Sequence, residues 1–198
     1  MDDGGARADS AHIFARRSMR ALPVSVALWL VAMPAGADPQ WSAGVQAGVS
    51  GAGASGAYWQ RTHFFGGLRG DLLWGRARDH DSGLGPFIEV ATVGFDDLRL
   101  GGGGALLLPV TASLPVVLSA GAYGREGGEG WEPGMMASVF FGARAYNFHS
   151  SYGLANGLVV GVQQGLGHSH ENAIVIAAQV DALLLAMPLI FGYEWITH

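Results

Sequence analysis

Charged side chains are scarce in this chain, and those set inside apolar segments are the ones with chemistry to explain. Arg69, Asp71, Glu89, Arg144 and Asp181, with Gln179 beside the last, each stand among aliphatic and glycine residues. A charge taken out of water must be paired or hydrogen-bonded. Two arginines facing three carboxylates could therefore form a salt-bridged interior, or a proton path, or hold a catalytic carboxylate. A second candidate is Phe148-His149-Ser150-Ser151-Tyr152, with Asn156 nearby. A serine nucleophile needs a base within hydrogen-bond reach and an acid to orient that base, and His149 and Ser151 are the right residue types. Metal chemistry has weaker support. Gly167-His168-Ser169-His170-Glu171 and Asp79-His80-Asp81 contain ligating groups, but a structural zinc site needs four ligands and a catalytic one three. Both stretches read as solvated turns, and neither a metal nor a cofactor is implied.

Whether these residues can meet depends on the elements that carry them, and the period of the apolar residues identifies those elements. In Gly66–Trp74, Leu68, Leu72 and Trp74 share one face at period two, while Arg69 and Asp71 share the other. A helix would scatter the two charges around an apolar cylinder; a strand collects them on one side. Trp41, Ala43, Val45, Ala47 and Val49 alternate with Ser42, Gly44, Gln46 and Gly48. Leu98, Leu100, Leu106 and Leu108 lie opposite Arg99, Gly101, Gly103 and Ala105. Leu158, Val160 and Val162 lie opposite Gly157 and Gly161. Segments of about ten residues, apolar on one face and polar or small on the other, are the pattern of transmembrane β-barrels.

Composition agrees with a membrane setting. Hydrophobic residues make up 49% of the chain and charged residues 14%, with 32 glycines, no cysteine and no lysine; mean hydropathy is +0.27. Disorder is excluded by this apolar content, and the net charge of −5 argues against a nucleic-acid partner. Residues 1–37 read as a signal peptide. Arg16, Arg17 and Arg20 precede the apolar run Ala21–Met33, and Ala35-Gly36-Ala37 offers a cleavage site before Asp38. The rival reading is an uncleaved anchor. Met19 could be the true start, and the Arg16-Arg17 pair lacks the rest of a twin-arginine pattern.

Turn residues then divide 38–198 into eight predicted strands, at 41–50, 62–75, 86–95, 98–108, 116–124, 135–146, 154–166 and 173–185. The expected fold is all-β, an up-and-down antiparallel transmembrane barrel of about eight strands in a single domain. The C-terminus complicates the last strand. Phe191, Tyr193 and Trp195 alternate as a closing strand would, yet Ala173–Gly192 is too long for one strand. Either the strand slides toward 183–195 or a short extra element follows Pro188. The same run could be a transmembrane helix of about twenty residues, with Ala105–Ala122 as a second. Asp181 at mid-bilayer counts against that architecture, and a soluble sandwich ranks below both.

The leader, the eight alternating segments, the glycine content and the aromatic terminus resemble small bacterial outer-membrane barrels of the OmpA and OmpX kind. The resemblance spans 38–198 and implies residence in the outer membrane, contact with its lipid and no water-filled pore. It implies no single activity, since such folds host adhesins, enzymes and passive barrels. The His149–Ser151 neighbourhood is similar to that of outer-membrane lipid A deacylases, departing from it in spacing and flanks. A periplasmic N-terminus would place this connection in the periplasm, away from the outer leaflet. The expected role is thus structural or surface-interacting and non-enzymatic, with Arg69, Asp71, Glu89, Arg144 and Asp181 as an interior polar network. A lipid-modifying hydrolase using His149 and Ser151, or a helical inner-membrane protein, are the alternatives.

Overall fold

The computed structural model describes residues 38–54, 56–76, 80–111, 114–127, 130–144 and 151–197. The leader at 1–37 lies outside them, as does His149. The chain forms eight antiparallel strands: β1 (Gln40–Ala54), β2 (Arg61–Leu73), β3 (Gly83–Val93), β4 (Asp97–Leu108), β5 (Val116–Gly127), β6 (Gly130–Arg144), β7 (Ala155–Gly165) and β8 (Glu171–Asp181). Each pairs with its neighbour in sequence, and β8 pairs with β1 to close the barrel. Closure satisfies the backbone groups that an open sheet would leave along its edges.

Alternation decides which side chains point inward. Leu68, Leu98, Leu100, Leu158, Val160 and Val162 are exposed on the outer wall, while Arg69, Asp71, Arg99, Arg144 and Asp181 are buried within. Trp74 follows β2 on its outward parity and bridges to Leu84 of β3. The interior is therefore more polar than the exterior.

An eight-stranded barrel is just wide enough for its side chains to fill it, so large and small residues must interleave. One inward row runs Gly44, Arg69, Glu89, Gly101, Tyr123 and Gly134 across β1 to β6. Each long side chain has a glycine neighbour in that row. A Cβ on Gly134 would lie 2.3 Å from the Tyr123 ring. Gly103 and Gly121 face each other across β4 and β5. A Cβ on either would come within 2.1 Å of a carbonyl oxygen on the facing strand. These glycines allow close approach and strong coiling rather than turns.

The strand boundaries differ from expectation where glycine reads as turn. The run from Arg125 to Gly134 is expected as a loop, yet β5 continues to Gly127 and β6 begins at Gly130, which has φ +90°. Arg125 pairs with Glu132, and Glu126 with Trp131, so polar residues here are ladder partners. The C-terminus is the larger correction. β8 stops at Asp181, and Ala182–Thr197 form a helix, α1. Phe191, Tyr193 and Trp195 thus lie on a helix and not on a closing strand. The physical reason is a change of residue type. Ile174-Val175-Ile176 are β-branched, whereas Leu183-Leu184-Leu185-Ala186-Met187 are strong helix formers. Asp181 marks the junction, accepting a hydrogen bond from the Leu183 amide at 2.9 Å as the N-cap. The rival reading of membrane-spanning helices at 105–122 and 173–192 does not hold: strands and this short helix occupy those residues, and no helix among the described residues is long and apolar enough to cross a membrane.

Connections at the two ends differ in length. Those at the end where β1 starts cover residues 74–82, 109–115 and 145–154; those at the other end cover 55–60, 94–96, 128–129 and 166–170. We call these the proximal and distal ends.

The glycine pairs generate a test. Gly103→Ala and Gly121→Ala should each lower stability by about 1–3 kcal/mol through overpacking. Gly104→Ala, whose Cβ would meet nothing within 4 Å, should leave the urea unfolding midpoint of the barrel unchanged.

Candidate functional site: the polar interior

Neighbouring strands bring the inward charges together in three tiers. In the proximal tier, the Arg144 guanidinium donates to both oxygens of Asp71, one at 3.2 Å. The Ser42 hydroxyl donates to the same carboxylate at 3.1 Å. Bidentate pairing of this kind combines charge with fixed geometry. Arg76 lies in the same tier, fully buried, and donates to the Gln40 side-chain carbonyl at 3.3 Å.

The middle tier follows from register. Arg69 and Glu89 are direct cross-strand partners, with their charged atoms 3.6 Å apart. Arg69 also donates to Ser119 at 2.5 Å and to Ser138 at 3.4 Å on the opposite wall. Its guanidinium lies 4.2 Å from the centre of the Phe87 ring, a cation–π contact. Arg69 therefore crosses the barrel from β2 to β5 and β6. Gln46 donates to Gln179 at 3.0 Å in the same tier.

The distal tier is built around Arg99. It donates to Asp97 at 2.6 and 3.2 Å, to Glu171 at 3.2 Å and to Gln163. Arg125 joins Glu171 at 3.0 Å, and the exposed Arg61 approaches it at 3.8 Å. Beside this cluster Glu132 accepts hydrogen bonds from the Ser169 amide at 3.0 Å and from its hydroxyl, holding the 166–170 turn over the mouth.

Of the residues expected to share one network, the structure joins Asp71 to Arg144 and Arg69 to Glu89. Among the described residues it does not bring Asp181 to an arginine. Asp181 is fully buried and accepts from the Tyr152 hydroxyl at 2.7 Å and from the Ala155 amide at 3.0 Å. Its own amide donates to the Asn156 side chain at 2.9 Å. The distal cluster is absent from the sequence expectation, although Arg99 occupies the inward parity of β4. Arg125 and Glu171 escape because glycine-rich and histidine-rich neighbours make them look like turn residues.

Tyr152 belongs to the connection singled out for His149 and Ser151. Here Ser151–Gly153 runs parallel to the start of β1. The Trp41 amide donates to the Ser151 carbonyl at 2.7 Å, and the Gly153 amide to the Trp41 carbonyl at 2.9 Å. The Trp41 and Tyr152 rings meet edge to face at 4.4 Å. Burial and the bond to Asp181 push the Tyr152 phenol up to about 12. The exposed Ser151 thus lies in a segment with a structural task, at the proximal end.

Between the middle and distal tiers a cavity of about 10 Å³ is lined by Gln46, Glu89, Met136, Ser138 and Gln163 among others. That is room for about one water, and the Gln46 carbonyl oxygen, which has no protein partner, faces such a need. Among the described residues no group of three or more His, Asp or Glu side chains is placed to hold a metal ion. The molecule is a closed, eight-stranded, up-and-down β-barrel with a charge-paired interior. No protein family model, curated protein or solved structure matches the chain.

Two measurements examine this interior. Arg144→Met should destabilise the barrel by about 3–5 kcal/mol by stranding Asp71, and the double variant Arg144→Met/Asp71→Leu should recover most of the loss; chemical denaturation of the two proteins decides it. Tyr152 gives a pH dependence with a definite sign. Its folded-state pKa is raised, so its contribution is complete below the ordinary tyrosine value near 10 and is lost as pH rises through about 12. Ultraviolet titration should show a late phenolate transition that is missing in Tyr152→Phe.

Proposed function

We propose that this protein is an exported outer-membrane β-barrel with a closed interior and a structural role in the envelope, its outer wall in contact with lipid. The observation that carries this reading is its inverted amphipathicity. The wall presents Leu68, Ile88, Leu100, Val139, Leu158 and Ile176 to the outside, while the charges pair within. Water would favour the opposite arrangement.

Aromatic residues mark both limits of this aliphatic band. Trp41 and Phe141 are exposed at the proximal rim; Trp59, Phe64, Phe95 and Trp131 are exposed toward the distal rim. Trp41 pairs with Leu72, and from Leu72 to Phe64 along β2 is roughly 26 Å of strand. At the usual tilt that becomes a height of roughly 20 Å between girdles, close to the apolar band of about 25 Å in outer-membrane barrels. The apolar leader expected at 21–33 supports export.

The paired tiers support a structural role over transport. Asp71–Arg144, Arg69–Glu89 and Arg99–Glu171 each join different strands through the interior, and a narrow barrel so filled has no room for a solute. The short distal turns also favour a structural barrel over a surface-display one, because display calls for long loops.

The outer wall supplies the test. Leu158→Arg places a charge on the band and should cost about 2–4 kcal/mol for folding into vesicles, whereas Leu158→Ala should cost far less. Equal folding of the two Leu158 variants into lipid, or recovery of the wild type in the soluble envelope fraction, would defeat the membrane reading.

A further inference from the structure

We propose that α1 is a second membrane-embedded element, immersed in bilayer hydrocarbon at the proximal end beside the β1–β8 seam. The inference rests on the membrane reading of the barrel and adds a part of the chain that a barrel of this kind does not require.

The sequence of α1, Ala-Leu-Leu-Leu-Ala-Met-Pro-Leu-Ile-Phe-Gly-Tyr-Glu-Trp-Ile-Thr, contains one charged residue, Glu194, and none of its side chains is buried. At 100° per residue, the consecutive residues Leu183, Leu184, Leu185 and Ala186 point in four well-separated directions around the helix. No polar face exists for water, and no single apolar stripe exists for a groove. A helix apolar all round needs an apolar environment on every side. Leu189 is 76% exposed and Trp195 87% exposed, so the barrel itself does not provide that environment. A protein partner would cover one face and leave the others in water. Hydrocarbon covers them all.

Continuity with the outer wall points the same way. α1 leaves the barrel at Asp181, directly after Val180, whose side chain is exposed on the same wall as Trp41. The Asp181 carboxylate satisfies the Leu183 amide within the chain, so one of the exposed donors of the helix start is already paired where α1 leaves the rim. At the far end of α1, Tyr193, Glu194, Trp195 and Thr197 form an amphipathic turn of the type found at headgroup level. The Thr197 hydroxyl donates back to the Tyr193 carbonyl at 2.9 Å, again sparing a backbone acceptor. With 16 residues, α1 is about 24 Å long. It lies within the membrane without crossing it, in keeping with the absence of a spanning helix among the described residues.

The cysteine-free sequence suits single-site labelling of the full chain. Leu189→Cys and Ile190→Cys report on α1, and Ile88→Cys reports on the outer wall. Each carries an environment-sensitive fluorophore after refolding into phosphatidylcholine vesicles, with heat-dependent gel migration checking the fold. The expected result is that brominated acyl chains quench the α1 labels as strongly as the Ile88→Cys label, while aqueous iodide quenches none. Iodide quenching at α1 together with lipid quenching at the wall overturns the inference and leaves the barrel reading standing. Protection of α1 from both quenchers in a protein that sediments as a dimer means that a second copy covers the helix, and also overturns it. Absence of lipid quenching at the wall itself defeats the membrane reading on which the inference rests.

Discussion

A closed sheet can leave no edge, and the seam between β1 and β8 is where this chain meets that constraint. β8 ends at Asp181, opposite Gly44, so Gln40–Ala43 extend beyond it. The Trp41 amide and carbonyl would then face the exterior unpaired. Ser151–Gly153 supply the missing partners, and Tyr152 locks that segment in place by donating to Asp181. One carboxylate therefore terminates the last strand, starts α1, holds the β6–β7 connection through Tyr152 and Ala155, and so completes the wall. Few positions in the molecule serve as many neighbours at once. In a hydrocarbon surrounding the requirement is stricter still, because water is not there to satisfy a stray backbone group.

The paired charges follow from a second constraint. Strands of a barrel can slip in register, and a slip of one residue would turn every inward side chain outward. Apolar packing alone penalises such a slip weakly where an outer surface is also apolar, since Leu and Val fit either side. Charges do not. Moving Arg69 or Asp71 to the outer wall would strand both partners in an apolar setting. Inward Arg69, Arg99, Arg125 and Arg144 are met by inward Asp71, Glu89, Asp97 and Glu171. The tiers contribute uniqueness of register more than net stability, because desolvation consumes much of the Coulomb attraction in a buried pair.

How much of this is legible in the sequence depends on whether a signal is local. Period-two alternation is local, and it places Leu68 outward and Arg69 inward without knowledge of any neighbour. Partnership is not local. Arg69 and Glu89 are adjacent only because β2 and β3 pair in one register, and Arg69 reaches Ser119 and Ser138 only because the barrel closes. Glycine misleads in one place and not in another. It reads as a turn in Arg125–Gly134, where Gly134 makes room for Tyr123, whereas Gly101 and Gly103 lie within a strand and allow close strand approach. The run from Ala173 to Gly192 has no polar punctuation except Gln179 and Asp181. Its switch from strand to helix rests on the β-branched residues ending at Val180 and on the cap that Asp181 provides. An aromatic alternation at Phe191, Tyr193 and Trp195 then imitates a strand, though spacing of two on a helix scatters the rings by about 200°.

The two ends of the barrel are not equivalent, and the difference bears on the proposed role. Bacterial outer-membrane barrels pair short periplasmic turns with longer extracellular loops. Here the longer connections, the Tyr152 lock and α1 all lie at the proximal end, where both the first strand begins and the last one finishes. With a periplasmic start to β1, the elaborated end faces the periplasm and the cell surface receives only short distal turns. The distal rim is tied down besides, by Glu132 on Ser169 and by Arg99 and Arg125 on Glu171. On the membrane reading proposed above, a barrel arranged in this way would set its longer connections, the Tyr152 lock and α1 on the inner side of the membrane.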